Sequence, residues 1–332
     1  MNGEMVSRLV GVLVVCLSWR AAVGEEPIRV GIIGCDTSHA VAFTEILHDP
    51  KAEGERAGFR VVVAYPGGSE DIASSRERVG GYVQTLREKH GVEIVESIKE
   101  VLAKCDVVLL ESVDGRPHRA QAEPVLRARK PVFIDKPVAG SLADAVAIYE
   151  LAEATGTPCF TSSALRFEPG IVELRDRVGE VVGCDTYGPC ELEPHHPDLF
   201  WYGVHGVEAL YAVMGMGCET VVRAHTEGTD VVVGTWGDGR IGTFRGIRAG
   251  RADFGATVFG TKGIGRAEGF TGYGPLVLEI CRFFRTGRAP VSAAETLEMF
   301  AVMEAADESR RRGGVPVKVR DVLEAARVEA RR

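Results

Sequence analysis

Lys130-Pro131-Val132-Phe133-Ile134-Asp135-Lys136-Pro137-Val138-Ala139-Gly140-Ser141 is the stretch whose reading decides the fold. Val132, Phe133 and Ile134 form a short apolar, β-rich run bracketed by prolines and followed by a helix start, the pattern of a buried strand in a parallel sheet. The run ends in charge. Asp135 and Lys136 therefore stand where the strand stops, and in open α/β sheets ligands bind at that carboxyl edge. Pro137 fixes the backbone beyond Lys136 and holds the amine at a defined angle. Ser141, with Asp144 three residues on, forms a capping box ahead of the inward-facing Val146, Ile148 and Leu151.

The same alternation extends to either side. Residues 28–34 and 59–65 read as strands, 97–104 as a short helix, 106–111 as another buried strand and 118–126 as a helix, with a last strand near Cys159 and Phe160. This predicts an α/β fold with a doubly wound parallel sheet over residues 25–163. Beyond Ser163 the pattern changes. Alternating runs at 220–226, 230–236, 240–248 and 253–259, with Asp238-Gly239 as a hairpin turn, predict strands paired antiparallel in a second, α+β domain over residues 164–332. Helices are expected at 171–177, 275–285 and 293–312.

Residues 130–137 resemble the strand and Glu-Lys-Pro signature of the Gfo/Idh/MocA oxidoreductases, and the resemblance covers nearly all of the chain after residue 27. It implies a Rossmann domain, a second domain on an open, mostly antiparallel sheet, and hydride transfer between NAD or NADP and a sugar or polyol. The signature lysine, here Lys136, would lie in the active site, flanked by Asp135 and Pro137 at the cofactor. Ser112-Val-Asp-Gly-Arg-Pro-His118 resembles the family's Thr-Pro-Asn-x-x-His loop beside the nicotinamide, one residue longer, with Asp114 as the acceptor replacing asparagine. Ser112, Asp114 and His118 are thus expected near the cofactor, although a histidine in a first helical turn is more often structural.

The departures matter as much. After the first strand a dinucleotide fold places G-x-G-x-x-G, so that the pyrophosphate can sit on a helix N-terminus. This chain has Gly34, then Asp36, then His39 at the three glycine positions. A carboxylate about 4 Å from a phosphate costs roughly 1 kcal/mol even in water, and more in a dry site. Asp36, Thr37 or Ser38 is a good helix cap, and Thr37 and Ser38 hydroxyls, free helix amides and protonated His39 could hold a phosphate. We expect Ser38 and the amides to bind while Asp36 caps. The second strand ends in Tyr65-Pro66-Gly67-Gly68-Ser69 with no acidic residue for a ribose 2′-hydroxyl, so NAD and NADP are both admissible, with Ser69 and Arg76 near a 2′-phosphate.

Glu191 to Glu208 carries the remaining chemistry. The family has Asp-x-Gly-x-His here; this chain keeps His205 but has Trp201 in the aspartate's place, so the aspartate's proton-transfer role is lost or moved to Tyr202, Glu193 or Asp198. Hydride transfer needs an acid or base near working pH on the substrate oxygen. Lys136, tuned downward by burial, is expected to orient that oxygen and His205 to exchange its proton. Trp201 could stack on a sugar face. Cys190, His195, His196 and Asp198 have ligand chemistry but lack metal-site spacing, and no metal is expected.

The chain has 332 residues, 45% hydrophobic, with a formal net charge of -8. That balance argues against nucleic acid or an anionic membrane surface as the main partner. Arg8 followed by the apolar run Leu9 to Trp19 and Ala22-Val23-Gly24 reads as an export signal over residues 1–24, too short for an anchor, which implies a periplasmic or secreted protein; a cytoplasmic enzyme with a mis-called start is the alternative. Seven cysteines follow the leader with no C-x-x-C spacing, so no disulfide framework is expected and a Cys184–Cys190 pair stays open. The leading expectation is an exported NAD(P)-dependent oxidoreductase on a carbohydrate-like small molecule, forming a homo-oligomer through the open sheet as relatives often do. The alternatives are an NAD-dependent glycosidase of the same fold, and a sugar-binding pseudoenzyme without cofactor.

Overall fold

The computed structural model describes residues 26–332, so the leader expected at 1–24 lies outside the described residues. The first half of the chain runs β1 (Ile28–Ile33), α1 (Ser38–Leu47), β2 (Phe59–Tyr65), α2 (Ala73–His90), β3 (Glu93–Ile94) and α3 (Ile98–Lys104). It continues with β4 (Val107–Leu110), α4 (His118–Arg127), β5 (Val132–Ile134), α5 (Leu142–Thr155) and β6 (Cys159–Thr161). These six strands pair in parallel, in the order β3-β2-β1-β4-β5-β6. All residues of β4 and β5 are buried, as their unbroken apolar runs require when helices cover both faces of a sheet. The 18-residue α2 was not foreseen because only Ser75 and Leu86 on it are buried, leaving no apolar period to read.

The second half runs α6 (Pro169–Val178), β7 (Val181–Pro189), α7 (Asp198–Trp201), α8 (Val204–Met214), β8 (Cys218–Thr226), β9 (Thr229–Trp236) and β10 (Ile241–Ile247). It closes with β11 (Gly255–Gly260), β12 (Gly263–Glu268), α9 (Gly274–Thr286), α10 (Ala293–Arg311), β13 (Val317–Lys318) and α11 (Val319–Ala330). The seven strands lie in the order β12-β11-β7-β10-β9-β8-β13. The Asp238-Gly239 turn makes the expected antiparallel β9–β10 pair. One expectation is corrected: β10 and β11 do not pair, because β7 inserts between them, parallel to β10 and antiparallel to β11. The connection from Ile247 to Gly255 is too long for a tight hairpin and leaves room for that strand.

Two packings set the site, the first between the halves and the second within the second half. Helix α9 returns to the parallel sheet, where Phe283 meets Phe160 with ring centroids 4.7 Å apart and Leu276, Val277 and Ile280 join a core containing Phe43 and Phe133. Helix α8 is buried along its whole length, and Gly206 allows it to lie on the second sheet, since an added Cβ would stand 2.1 Å from Phe244. Thus α8 carries its first turn to the carboxyl edge of the parallel sheet. All seven cysteines among the described residues are free thiols, Cys184 and Cys190 included. No helix among the described residues is long and apolar enough to cross a membrane.

Candidate active site

A cavity of about 420 Å³ opens between the halves, with Thr37, Ser38 and His39 of the α1 start, Lys136, Trp201, Tyr202 and His205 in its wall. Ser74, Arg78, Glu191, Phe254, Phe270 and Tyr273 also line it. Lys136 and His205, read from separate domains, therefore face one space. Lys136 is 8% exposed and its amine has no hydrogen-bond or ion-pair partner among the described residues; it stands over the Tyr202 ring, 5.8 Å from ammonium to centroid. Burial pulls the Lys136 pKa below its ordinary value, against the pull of Asp135 upward.

His205 is held from behind. Its Nδ1 lies 2.7 Å from Ser163 Oγ, and its ring meets Tyr202 edge-on at 4.9 Å. Burial first, then the charges of Lys136 and His39, push the imidazole well below its usual range, so it is a neutral base near pH 7. Behind Ser163 lies a buried ion cluster: Glu208 accepts from the Ser163 amide and pairs with Arg166, which also reaches Glu295 at 2.6 Å. Sequence reasoning missed Ser163, Arg166 and Glu208, although Glu208 follows His205 by one turn of α8. It also missed Tyr273, whose ring stands 4.7 Å from that of His39, because α9 returns from far along the chain.

His39 does not reach toward a phosphate as expected. Its Nδ1 lies 2.6 Å from Asp135 Oδ2, and the other Asp135 oxygen accepts from the Lys136 amide at 2.8 Å. Burial would raise the Asp135 carboxyl, but His39 and then Lys136 outweigh it and hold it low. Among the substitutes proposed for the missing aspartate, only Tyr202 lies in the cavity. Glu193 binds His195 Nδ1 outside it, and Asp198 is consumed by Arg223 at 3.0 Å and by Arg310. Burial raises the Tyr202 pKa, so its hydroxyl stays protonated and can donate but is not a base. Trp201 lines the cavity at the end of α7, against His196 at 4.9 Å.

The other side chains expected at the cofactor are engaged by bonds within and between loops. Thr37, not Asp36, caps α1, accepting from the His39 amide at 3.3 Å. Asp36 turns inward and accepts from Ser75 Oγ at 2.6 Å and the Val113 amide at 3.0 Å. Ser69 Oγ donates to Asp114 at 2.6 Å, Ser112 Oγ donates to Gln121 at 2.9 Å, and Arg76 donates to the Glu70 carbonyl. His118 is fully buried, with its ring nitrogens 2.9 Å from the Ser112 carbonyl and 3.3 Å from the Val138 carbonyl, so its role is structural. Gly34 packs on the next loop, where an added Cβ would meet the Ser112 amide nitrogen at 2.3 Å.

These observations test the fit of a dinucleotide in two parts. At the nicotinamide end the residues fit: an unpartnered amine and a neutral imidazole face open space beside the α1 start. At the adenosine end, Ser69 and Asp114 bridge the loops after β2 and β4 across the tip of β1, so these two side chains would serve a dinucleotide only with that bridge undone. Among the described residues, no group of three or more His, Cys, Asp or Glu side chains could hold a metal ion.

Comparison with known proteins agrees with the geometry. No curated protein matches the chain. An Agrobacterium radiobacter oxidoreductase solved with NAD+, L-tartaric acid and magnesium superposes with TM-score 0.71 at 16% identity, covering 89% of this chain and 99% of that one. A Corynebacterium glutamicum myo-inositol dehydrogenase gives 0.70 at 15%, covering 88% and 98%, and apo scyllo-inositol dehydrogenase from Lactobacillus casei gives 0.71 at 14%, covering 89% and 99%. At such identities the likeness is one of fold. Residues 28–163 match the model of an oxidoreductase family with an NAD-binding Rossmann fold, that of Gfo/Idh/MocA, and this stretch is therefore similar to that family's NAD-binding domain.

Proposed function

We propose that the protein moves hydride between a nicotinamide dinucleotide and the hydroxyl-bearing carbon of a sugar or polyol. The observation that carries the reading is the unpartnered amine of Lys136 and the His205 imidazole, on different halves of the fold, in the wall of one cavity. The nicotinamide, when bound, supplies the hydride acceptor or donor. Lys136 Nζ donates a hydrogen bond to the reacting oxygen and polarises it, and its desolvation strengthens that bond. His205, neutral near pH 7, takes the hydroxyl proton in oxidation and returns it in reduction. Ser163 engages Nδ1, which leaves Nε2 for the substrate. Trp201 and Tyr202 offer the flat apolar faces on which a sugar ring stacks.

Export remains part of the proposal and rests on residues 1–24; the N-terminal sequence of protein recovered from outside the cytoplasm tests it. The main test is turnover of a panel of sugars, polyols and hydroxy acids with NAD and NADP, followed through the reduced nicotinamide. Substrate-dependent reduction supports the reading, and tight nucleotide binding with no turnover on any member opposes it. A second reading, a sugar-binding protein that has lost its cofactor, is favoured by the Ser69–Asp114 bridge across the adenosine groove. Absence of NAD and NADP binding in a titration would decide for that reading.

A further inference from the structure

The parallel sheet places the loops after β2 and β4 on either side of the β1 tip, and in this protein those loops are tied together over it. Ser69 Oγ donates to Asp114 Oδ2 at 2.6 Å, and the Ser69 amide donates to Ser75 Oγ at 2.8 Å. Arg116 is the clasp: its Nη2 meets Asp114 at 2.7 Å while both Nη atoms meet Asp71 at 2.8 Å. The amides that edge this groove are also spent. Val113 donates to Asp36, Arg116 to Asp114, and Cys35 to the Pro66 carbonyl at 2.7 Å.

The two sides of the bridge differ in how firmly they are built. On the β4 side, Gly115 is wedged: an added Cβ would stand 2.7 Å from the Ala139 carbonyl. His196, from the second half of the fold, reaches the same turn, its Nε2 lying 3.1 Å from both the Gly115 amide and Asp114 Oδ1. One ring nitrogen cannot be bare for the amide and protonated for the carboxylate at once, so it serves one of them at a time. On the β2 side, Gly67 and Gly68 follow one another at φ +60° and +109°. Consecutive glycines in the left-handed region are the cheapest place for a loop to swing. Gly67 rests on the β1 tip, with an added Cβ only 3.3 Å from Gly34 Cα. The outer end of this loop is fastened by Asp71, whose side chain is 50% exposed.

We propose that residues 66–71 form a strap across the adenosine groove, clasped by Arg116, which must swing out before a dinucleotide can enter. The proposal rests on NAD or NADP being the cofactor. An occupant that binds only the open form meets an affinity reduced by the fraction of molecules that are open. The outer half of the clasp, Arg116 with Asp71, is open to solvent, so salt weakens it. Added salt should therefore speed entry here, whereas screening ordinarily slows capture of an anion by a cationic site.

The test is stopped-flow binding and equilibrium titration of NAD and of NADP with wild type, Asp71→Ala and Arg116→Ala, at low and high salt. Melting curves identify any variant that has lost its fold, and Asp71→Ala, at an exposed position, keeps the test alive if Arg116→Ala does not fold. The strap predicts a wild-type observed rate that levels off with nucleotide concentration and rises with salt. Both variants should raise that ceiling and tighten binding by about tenfold, the factor for a groove closed about nine-tenths of the time. A wild-type rate that climbs linearly and is unchanged in both variants would overturn the strap while leaving the cofactor assignment standing. No binding by any of the three proteins would overturn both.

Discussion

Ser163 Oγ and His205 Nδ1 lie 2.7 Å apart, joining the end of the parallel-sheet domain to the first turn of α8. Through this contact one domain aims the imidazole that the other supplies. Ser163 is aimed in turn by the Glu208 carboxylate on its amide.

Replacing Ser163 with alanine removes the partner that holds the ring and its tautomer. The bond is worth about 1 kcal/mol, so turnover should fall about fivefold with little change in dinucleotide affinity. Steady-state rates at saturating substrate, beside a nucleotide titration, check this. An effect on nucleotide affinity alone would argue that Ser163 serves the cofactor.

Acid should weaken the fold before it reaches the carboxylate range. Burial holds the pKa values of His205 and His118 below the ordinary 6.5, so near and below that value the unfolded chain binds protons that the folded protein refuses. Stability then rises with pH in this window and is lost as pH falls through it. Urea denaturation in steps below neutrality measures the slope, and His118→Gln should make it shallower.

Glu111 works in the opposite sense. It is fully buried at the end of β4, neither carboxylate oxygen has a partner among the described residues, and burial followed by Asp135 raises its pKa well above the usual 4.5. The folded protein keeps this proton while the unfolded chain gives it up, so the contribution is full below the unfolded value and declines as pH rises toward the folded one. Each pH unit in that interval costs about 1.4 kcal/mol. Glu111→Gln should therefore gain on wild type as pH is raised from about 5 to about 8 in denaturation series. A constant difference across that range would contradict the assignment.

The strand and helix pattern before Ser163 was legible because fully buried strands and capped helices leave local marks: the Ser141 cap and the four buried apolar residues of β4. Lys136 and His205 were legible for the same reason, since each stands at the end of an element the pattern defines. What was not legible depends on pairs distant in the chain. Insertion of β7 between β10 and β11 is a register choice no single strand declares. Ser69 and Asp114 are the right residue types for a ribose, and only distances reveal that they bind one another while Asp36 binds neighbouring loops. Tyr273 reaches the cavity because α9 crosses back to the first sheet, which its amphipathic pattern alone could not say.

The most direct test of the central claim, that Lys136 and His205 share one reacting oxygen, is Lys136→Ala assayed with the best substrate of the panel beside a titration of the same sample with NAD and NADP. The account predicts turnover lost and nucleotide affinity little changed. Turnover retained in that variant would contradict it.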